Sequence, residues 1–208
     1  MSSQVSLQHA AEHTAGHDDH DGVPTPQNIS NAKLAMWLYL ASEVVIFATL
    51  IAVYAVFRAN SPEAVQAVQE ELGIVLVSIN TFLLLASSWA MVMGLREAQK
   101  DNSQGVVRWI GLTALLGAAF VGLQGVEYTE LAHAGISLET AYGMRFYAPT
   151  AFHGVHVIIG VLWALWIVKR ARRGDFGAKN FLAIEIFGLY WHFVDVVWIF
   201  LFTIIYLI

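Results

Sequence analysis

Tyr190-Trp191-His192-Phe193-Val194-Asp195-Val196-Val197-Trp198 sets an imidazole and a carboxylate three residues apart in the last apolar stretch of the chain. On a helix that spacing makes them neighbours, so His192 and Asp195 can share a proton or satisfy each other as a neutral hydrogen-bonded pair. Glu185, Gly188, His192 and Asp195 follow at spacings of three, four and three, which places all four on one face with Trp191 and Trp198 flanking it. A second pair of imidazoles lies in Phe152-His153-Gly154-Val155-His156. Two such histidines can begin a metal or haem site, but only with ligands from other helices. Glu43 stands deep in the first apolar segment, ten residues past Lys33. There the neutral acid costs far less than the ion, so the group is either hydrogen-bonded to a neighbouring helix or a proton or headgroup site. Gln124, Glu127, Tyr128, Glu130 and His133 gather where the third segment ends. Glu127 and Tyr128 are expected there as interfacial anchors, Tyr128 in an aromatic belt.

The elements that must hold these groups follow from hydropathy. A hydrocarbon core of about 30 Å needs roughly 20 apolar residues per helix. Five segments qualify, at about 33–57, 72–95, 106–132, 146–169 and 179–207. The expected fold is an all-α, polytopic membrane bundle of five transmembrane helices spanning 33–208. A composition that is 57% hydrophobic and 13% charged excludes an ordinary soluble domain. The net charge of -5, with no basic stripe, argues against a nucleic-acid partner. Cysteine is absent, so disulfides, thiolate metal sites and cysteine nucleophiles are excluded together.

Charge also gives an orientation. Lys33, Arg96, Lys100, Arg108, Lys169, Arg170, Arg172, Arg173 and Lys179 fall on the side shared with the N-terminus, and only Arg58 and Arg145 on the other. The N-terminus is therefore expected in the cytoplasm and the C-terminus outside, on the periplasmic face. Residues 1–32 are polar, rich in His and Asp, and lack an apolar core for a signal peptide. They read as a disordered cytoplasmic tail. His9, His13, His17 and His20 sit at helical spacing and could capture a metal ion, although low-complexity tails collect such residues readily.

Gly111, Ala114, Ala118, Gly122 and Gly125 make a small-residue stripe along the third segment, expected to let another helix approach closely. No nucleophile or complete ligand set accompanies the intramembrane polar groups. His153, His156, Glu185, His192 and Asp195 are therefore read as polar helix-packing groups, with no catalytic residue and no metal ligand expected. A membrane cytochrome using His156 and His192 as axial haem ligands stays open as an alternative from another class.

Three blocks carry a family resemblance: Leu40-Ala41-Ser42-Glu43, Phe152-His153-Gly154-Val155-His156-Val157-Ile158-Ile159-Gly160 and the Tyr190 to Trp198 block. Gln124-Gly125-Val126-Glu127-Tyr128 is a looser fourth. From about residue 33 onwards the chain closely resembles subunit III of the haem-copper terminal oxidases, in the five-helix bacterial form. The resemblance implies a non-catalytic subunit of the plasma membrane, packed against the catalytic subunit I. It carries no cofactor of its own, binds phospholipid in a cleft, and supports proton uptake while haem and copper sit in partner subunits. By position, Glu43 is similar to the family's carbodiimide-reactive buried carboxylate and Arg170 to its headgroup-binding arginine. The two N-terminal helices of the seven-helix form are missing, so the lipid cleft must be bounded differently. The electron donor implied leans to cytochrome c, with quinol the alternative.

Overall fold

The computed structural model describes residues 31–63, 65 and 73–208. Residues 1–30 of the expected tail, with its four histidines, lie outside the described residues, and its last two residues, Asn31 and Ala32, belong to the first helix. Helices α1 (Asn31–Asn60), α2 (Ile74–Gln99), α3 (Ser103–His133), α4 (Ala141–Ala171) and α5 (Leu182–Leu201) follow in order, and a π-helical turn, Phe202–Leu207, continues α5. All five are long and apolar enough to cross a membrane, and no strand occurs among the described residues. The chain is a multi-pass membrane protein.

The helices start and stop where local hydrogen bonding dictates, which hydropathy does not report. Expected starts at 106 and 146 move back to Ser103 and Ala141. Asn102 Oδ1 accepts from the Gly105 amide at 3.1 Å and Thr140 Oγ1 from the Gly143 amide at 3.0 Å, so each side chain caps its helix. The expected start at 179 moves forward to Leu182. Before it, the Ala178 amide donates to Asp101 Oδ1 at 2.6 Å and Asn180 Nδ2 to the Asp175 carbonyl at 3.0 Å, which holds a loop instead. Gly174, at φ 78°, ends α4 in a conformation that suits glycine and turns Asp175 back towards Arg170.

Helices α2, α3, α4 and α5 close a ring, each packed on the next and α5 returning to α2. Two tryptophans of α5 cross its centre. Trp191 donates from Nε1 to Ser87 Oγ on α2 at 3.0 Å, and its ring fills a socket beside Gly117 of α3 and Gly160 of α4. Seven residues later, Trp198 donates to Thr81 Oγ1 of α2 at 2.9 Å. Its ring lies 4.8 Å from that of Phe120 on α3 and 4.9 Å from that of His153 on α4. Each tryptophan thus touches all three other ring helices, two turns apart along one axis.

The small-residue stripe does not serve this packing. A Cβ placed on Gly111, Gly122 or Gly125 would meet nothing within 4 Å, and Ala118 is exposed. Of the stripe, only Ala114 is buried. Close approach instead uses Gly117, one position off the stripe, together with Gly160, Gly94 and Gly188. Spacing identifies a face that small residues could open, whereas the direction of the neighbouring helix decides which face is used.

Helix α1 lies against α4 and α5, outside the ring, through long side chains. Its buried residues, Leu40, Glu43, Phe47 and Tyr54, repeat at three, four and seven, a narrow seam. Phe47 packs on Phe152 and Phe193 with ring centroids 5.1 and 6.1 Å apart. At the two ends Lys33 Nζ meets Glu185 Oε1 at 2.7 Å, and Arg58 Nη1 donates to the Ile204 carbonyl at 3.3 Å.

Gly160→Ala tests the tryptophan socket. The new methyl would stand 2.5 Å from the Trp191 ring, so a loss of about 1–3 kcal/mol is expected from overpacking. It should register as a lower unfolding midpoint in detergent, whereas Gly122→Ala should leave the midpoint unchanged.

Candidate functional site

The intramembrane ionisable groups fall into three clusters. The first joins α1 to α4. Apolar positions on either side turn Glu43 inward, where its Oε2 lies 3.4 Å from His156 Nε2, and both side chains are buried. His156 Nδ1 donates to the Phe152 carbonyl of its own helix at 2.8 Å, so the face turned to the carboxyl is Nε2. Two ionisable groups buried this deeply cost less facing each other than either would alone, and Glu43 Oε2 has no aligned hydrogen bond. Aromatic rings close the site: Phe47 and Phe152 meet the imidazole edge-on at 5.4 and 4.7 Å, and Tyr190 stacks at 6.4 Å. Tyr190 also donates to the His156 carbonyl at 2.9 Å, tying α5 to the same turn of α4.

The second cluster joins α5 to α2. His192 Nδ1 and Ser88 Oγ are 2.7 Å apart, and Asp195 Oδ2 lies 3.9 Å from the same nitrogen. Asp195 is buried with neither carboxyl oxygen in an aligned hydrogen bond, whereas the His192 side chain is 42% exposed. The imidazole edge borders an apolar groove of about 460 Å3 between α1 and α5, lined by Trp37, Leu40, Val44, Leu189, Phe193 and Val196 among others. Glu185, expected on the same face, turns to Lys33 of α1 instead. The face predicted to act as one is divided between two partner helices.

The third cluster sits at the end where α3 finishes. Glu127, expected as an interfacial anchor, has its side chain inside the bundle, 3% exposed, and accepts from Gln124 Nε2 at 2.7 Å. The buried Tyr206 hydroxyl faces this carboxyl without an aligned hydrogen bond. Tyr128 donates to Thr150 Oγ1 of α4 at 2.9 Å. Tyr128 thus joins two helices, whereas the Glu127 carboxyl is bonded within its own helix and buried beside Tyr206. His153 is separate from all three: its Nε2 donates to the Val194 carbonyl of α5 at 3.1 Å, beneath the Trp198 ring.

Arg170 lies at the opposite end of the bundle. Its Nε donates to Asp175 Oδ2 at 2.9 Å, and its guanidinium lies over the Trp166 and Phe176 rings at 5.0 and 5.2 Å. Among the described residues no group of three or more His, Cys, Asp or Glu side chains converges as a metal site would require. Sequence reasoning missed the acceptors on α2. Ser87, Ser88 and Thr81 lie in an apolar run; Ser87 and Thr81 each accept an indole N–H from α5, and Ser88 pairs with His192. Polar residues inside a spanning segment were the available signal.

Known proteins place this geometry in context. A family model described as cytochrome c oxidase subunit III matches residues 14–208. The chain is 39% identical over 175 residues to quinol oxidase subunit 3 of Bacillus spizizenii, covering 84% of this chain and 85% of the relative. It is 36% identical to cytochrome c oxidase subunit 3 of Bacillus sp. strain PS3, over 85% and 86% of the two chains. It is 35% identical to cytochrome bo(3) ubiquinol oxidase subunit 3 of Pseudomonas aeruginosa, over 100% and 98%.

Ser87→Ala and Thr81→Ala each strand a buried indole N–H, at an expected cost of about 1–3 kcal/mol. Thermal unfolding followed by tryptophan fluorescence measures it. Ser42→Ala, on the exposed face of α1 and bonded only to the Tyr39 carbonyl, should leave the midpoint unchanged.

Proposed function

Because the chain belongs to the cytochrome c oxidase subunit III family, we propose that it is the non-catalytic, lipid-binding subunit III of a proton-pumping haem-copper terminal oxidase. It sits in a bacterial plasma membrane against the catalytic subunit I, and haem and copper belong to partner subunits. The observation that carries this reading is the direction of the two histidines that could have ligated haem. His156 turns to Glu43 on α1 and His192 to Ser88 on α2, so the rings address different helices rather than one planar group between them. The side chains that might have done redox chemistry are spent on joining helices.

Within that role the Glu43–His156 couple is the group fitted to support proton uptake. It is buried and shared between two helices, a carboxyl and an imidazole 3.4 Å apart. The groove between α1 and α5 gives phospholipid an apolar bed. The donor is read as cytochrome c, with quinol the alternative; relatives named for each kind of oxidase are similar to the chain. The N-terminus is cytoplasmic on the charge asymmetry of the loops.

Purification of the complex through this chain tests the assignment. A haem-containing oxidase should copurify, and oxygen uptake driven by reduced cytochrome c but not by quinol is the expected donor result. Recovery of the chain without haem-bearing partners would overturn the reading. Glu43→Gln should leave assembly intact and abolish carbodiimide labelling of this subunit, since the carboxyl that the resemblance marks as the reactive one is gone. An alkaline phosphatase fused to the C-terminus should be active, and a green fluorescent protein there dark.

A further inference from the structure

Among the described residues, the end of the bundle at which α2 and α4 finish carries more positive charge than its carboxylates can balance. Four acidic side chains of the described residues are found there, and each is already committed. Glu97 takes Lys100 at 3.5 Å and is hydrogen-bonded by Asn102, and Asp101 accepts from the Ala178 amide. Asp175 holds Arg170 at 2.9 Å and Glu185 holds Lys33 at 2.7 Å. Arg108, Arg172 and Arg173 have no carboxylate partner among the described residues. These three line one hollow of about 600 Å3 between the start of α3 and the end of α4. Ser103 and Gln104, in the first turn of α3, add polar groups to its wall, and Val107 and Ala171 give it an apolar side.

Arg108, Arg172 and Arg173 are exposed, and cations of one sign lining a hollow raise the local positive potential, which draws an anion into it. Guanidinium forks match the oxygens of a phosphate through paired donors, and the first-turn amides of α3 add a weaker attraction of the same sign. The hollow lies where two membrane-spanning helices leave the apolar region, so one wall suits a glycerol backbone and the other a charged head. Arg170 faces a different way, over Trp166 and Phe176, and belongs to another surface. We infer that the Arg108, Arg172 and Arg173 hollow is a binding site for a phosphate oxyanion, supplied by the headgroup of an anionic phospholipid. The site is separate from the groove between α1 and α5 and from the Glu43 couple. It rests on the reading of the chain as a membrane-embedded oxidase subunit.

The test uses the purified oxidase complex in phosphatidylcholine nanodiscs doped with phosphatidylglycerol. Native mass spectrometry then counts the phosphatidylglycerol retained on this subunit. The unmodified complex should retain one more copy than R108Q/R172Q/R173Q, whose affinity should fall about 100-fold at about a fivefold loss per removed charge. R108K/R172K/R173K, which keeps the charge but loses the fork, should fall between the two. Equal retention in all three complexes overturns the site. Equal occupancy by inorganic phosphate, with no preference for phosphatidylglycerol, overturns the lipid source. Copurification of haem-bearing partners by R108Q/R172Q/R173Q tests the oxidase reading independently, so failure of one is distinguishable from failure of the other.

Discussion

Trp191 is the contact on which the rest of the bundle depends. In a bilayer, lipid tails are as apolar as leucine, so burial from water does not hold helices together. Close packing and interhelical hydrogen bonds must do it. A single indole supplies both here: its N–H is satisfied by Ser87 on α2, and its ring occupies space that Gly117 and Gly160 leave on α3 and α4. Trp198 repeats the arrangement two turns on with Thr81, Phe120 and His153. With four helices fixed at two heights, the ring has little freedom to shear.

That ring explains the surroundings of the ionisable groups. His153 is held under Trp198 by a bond to the Val194 carbonyl, so its role is to link α4 to α5. His156, one turn further along α4, points out of the ring towards α1 and meets Glu43. Two histidines three residues apart thus act on different neighbours, one completing the ring and one attaching the outer helix. The attachment of α1 is of another kind. A row of long side chains spaces it from the ring and leaves an apolar groove on the α5 side.

Polar groups deep in a membrane are costly unless they find a partner inside the bundle. Glu43, His153 and His192 find theirs on neighbouring helices, and Glu127 on its own. The charges left over lie at the helix ends, where water and headgroups can solvate them. The three guanidiniums around the hollow at the α3 start are the most concentrated example.

Much of this was legible in the sequence. Hydropathy alone establishes five membrane-spanning helices, since any unpaired backbone in hydrocarbon is too costly to permit another architecture for such apolar runs. The blocks around Glu43, His153 and Trp191 identify the family, because side chains so unfavourable in lipid persist only in a particular fold. Helix limits at Ser103 and Ala141 could have been read from Asn102 and Thr140, whose capping chemistry hydropathy ignores. Only the tertiary structure could decide partners. Periodicity puts Glu185, His192 and Asp195 on one face, but which helix that face meets depends on the crossing of α1 and α2 beside α5. The structure sends Glu185 to Lys33 and His192 to Ser88. The same limit applies to the small-residue stripe and to Glu127, because a helical period fixes angles around one axis and says nothing of what stands on the other side.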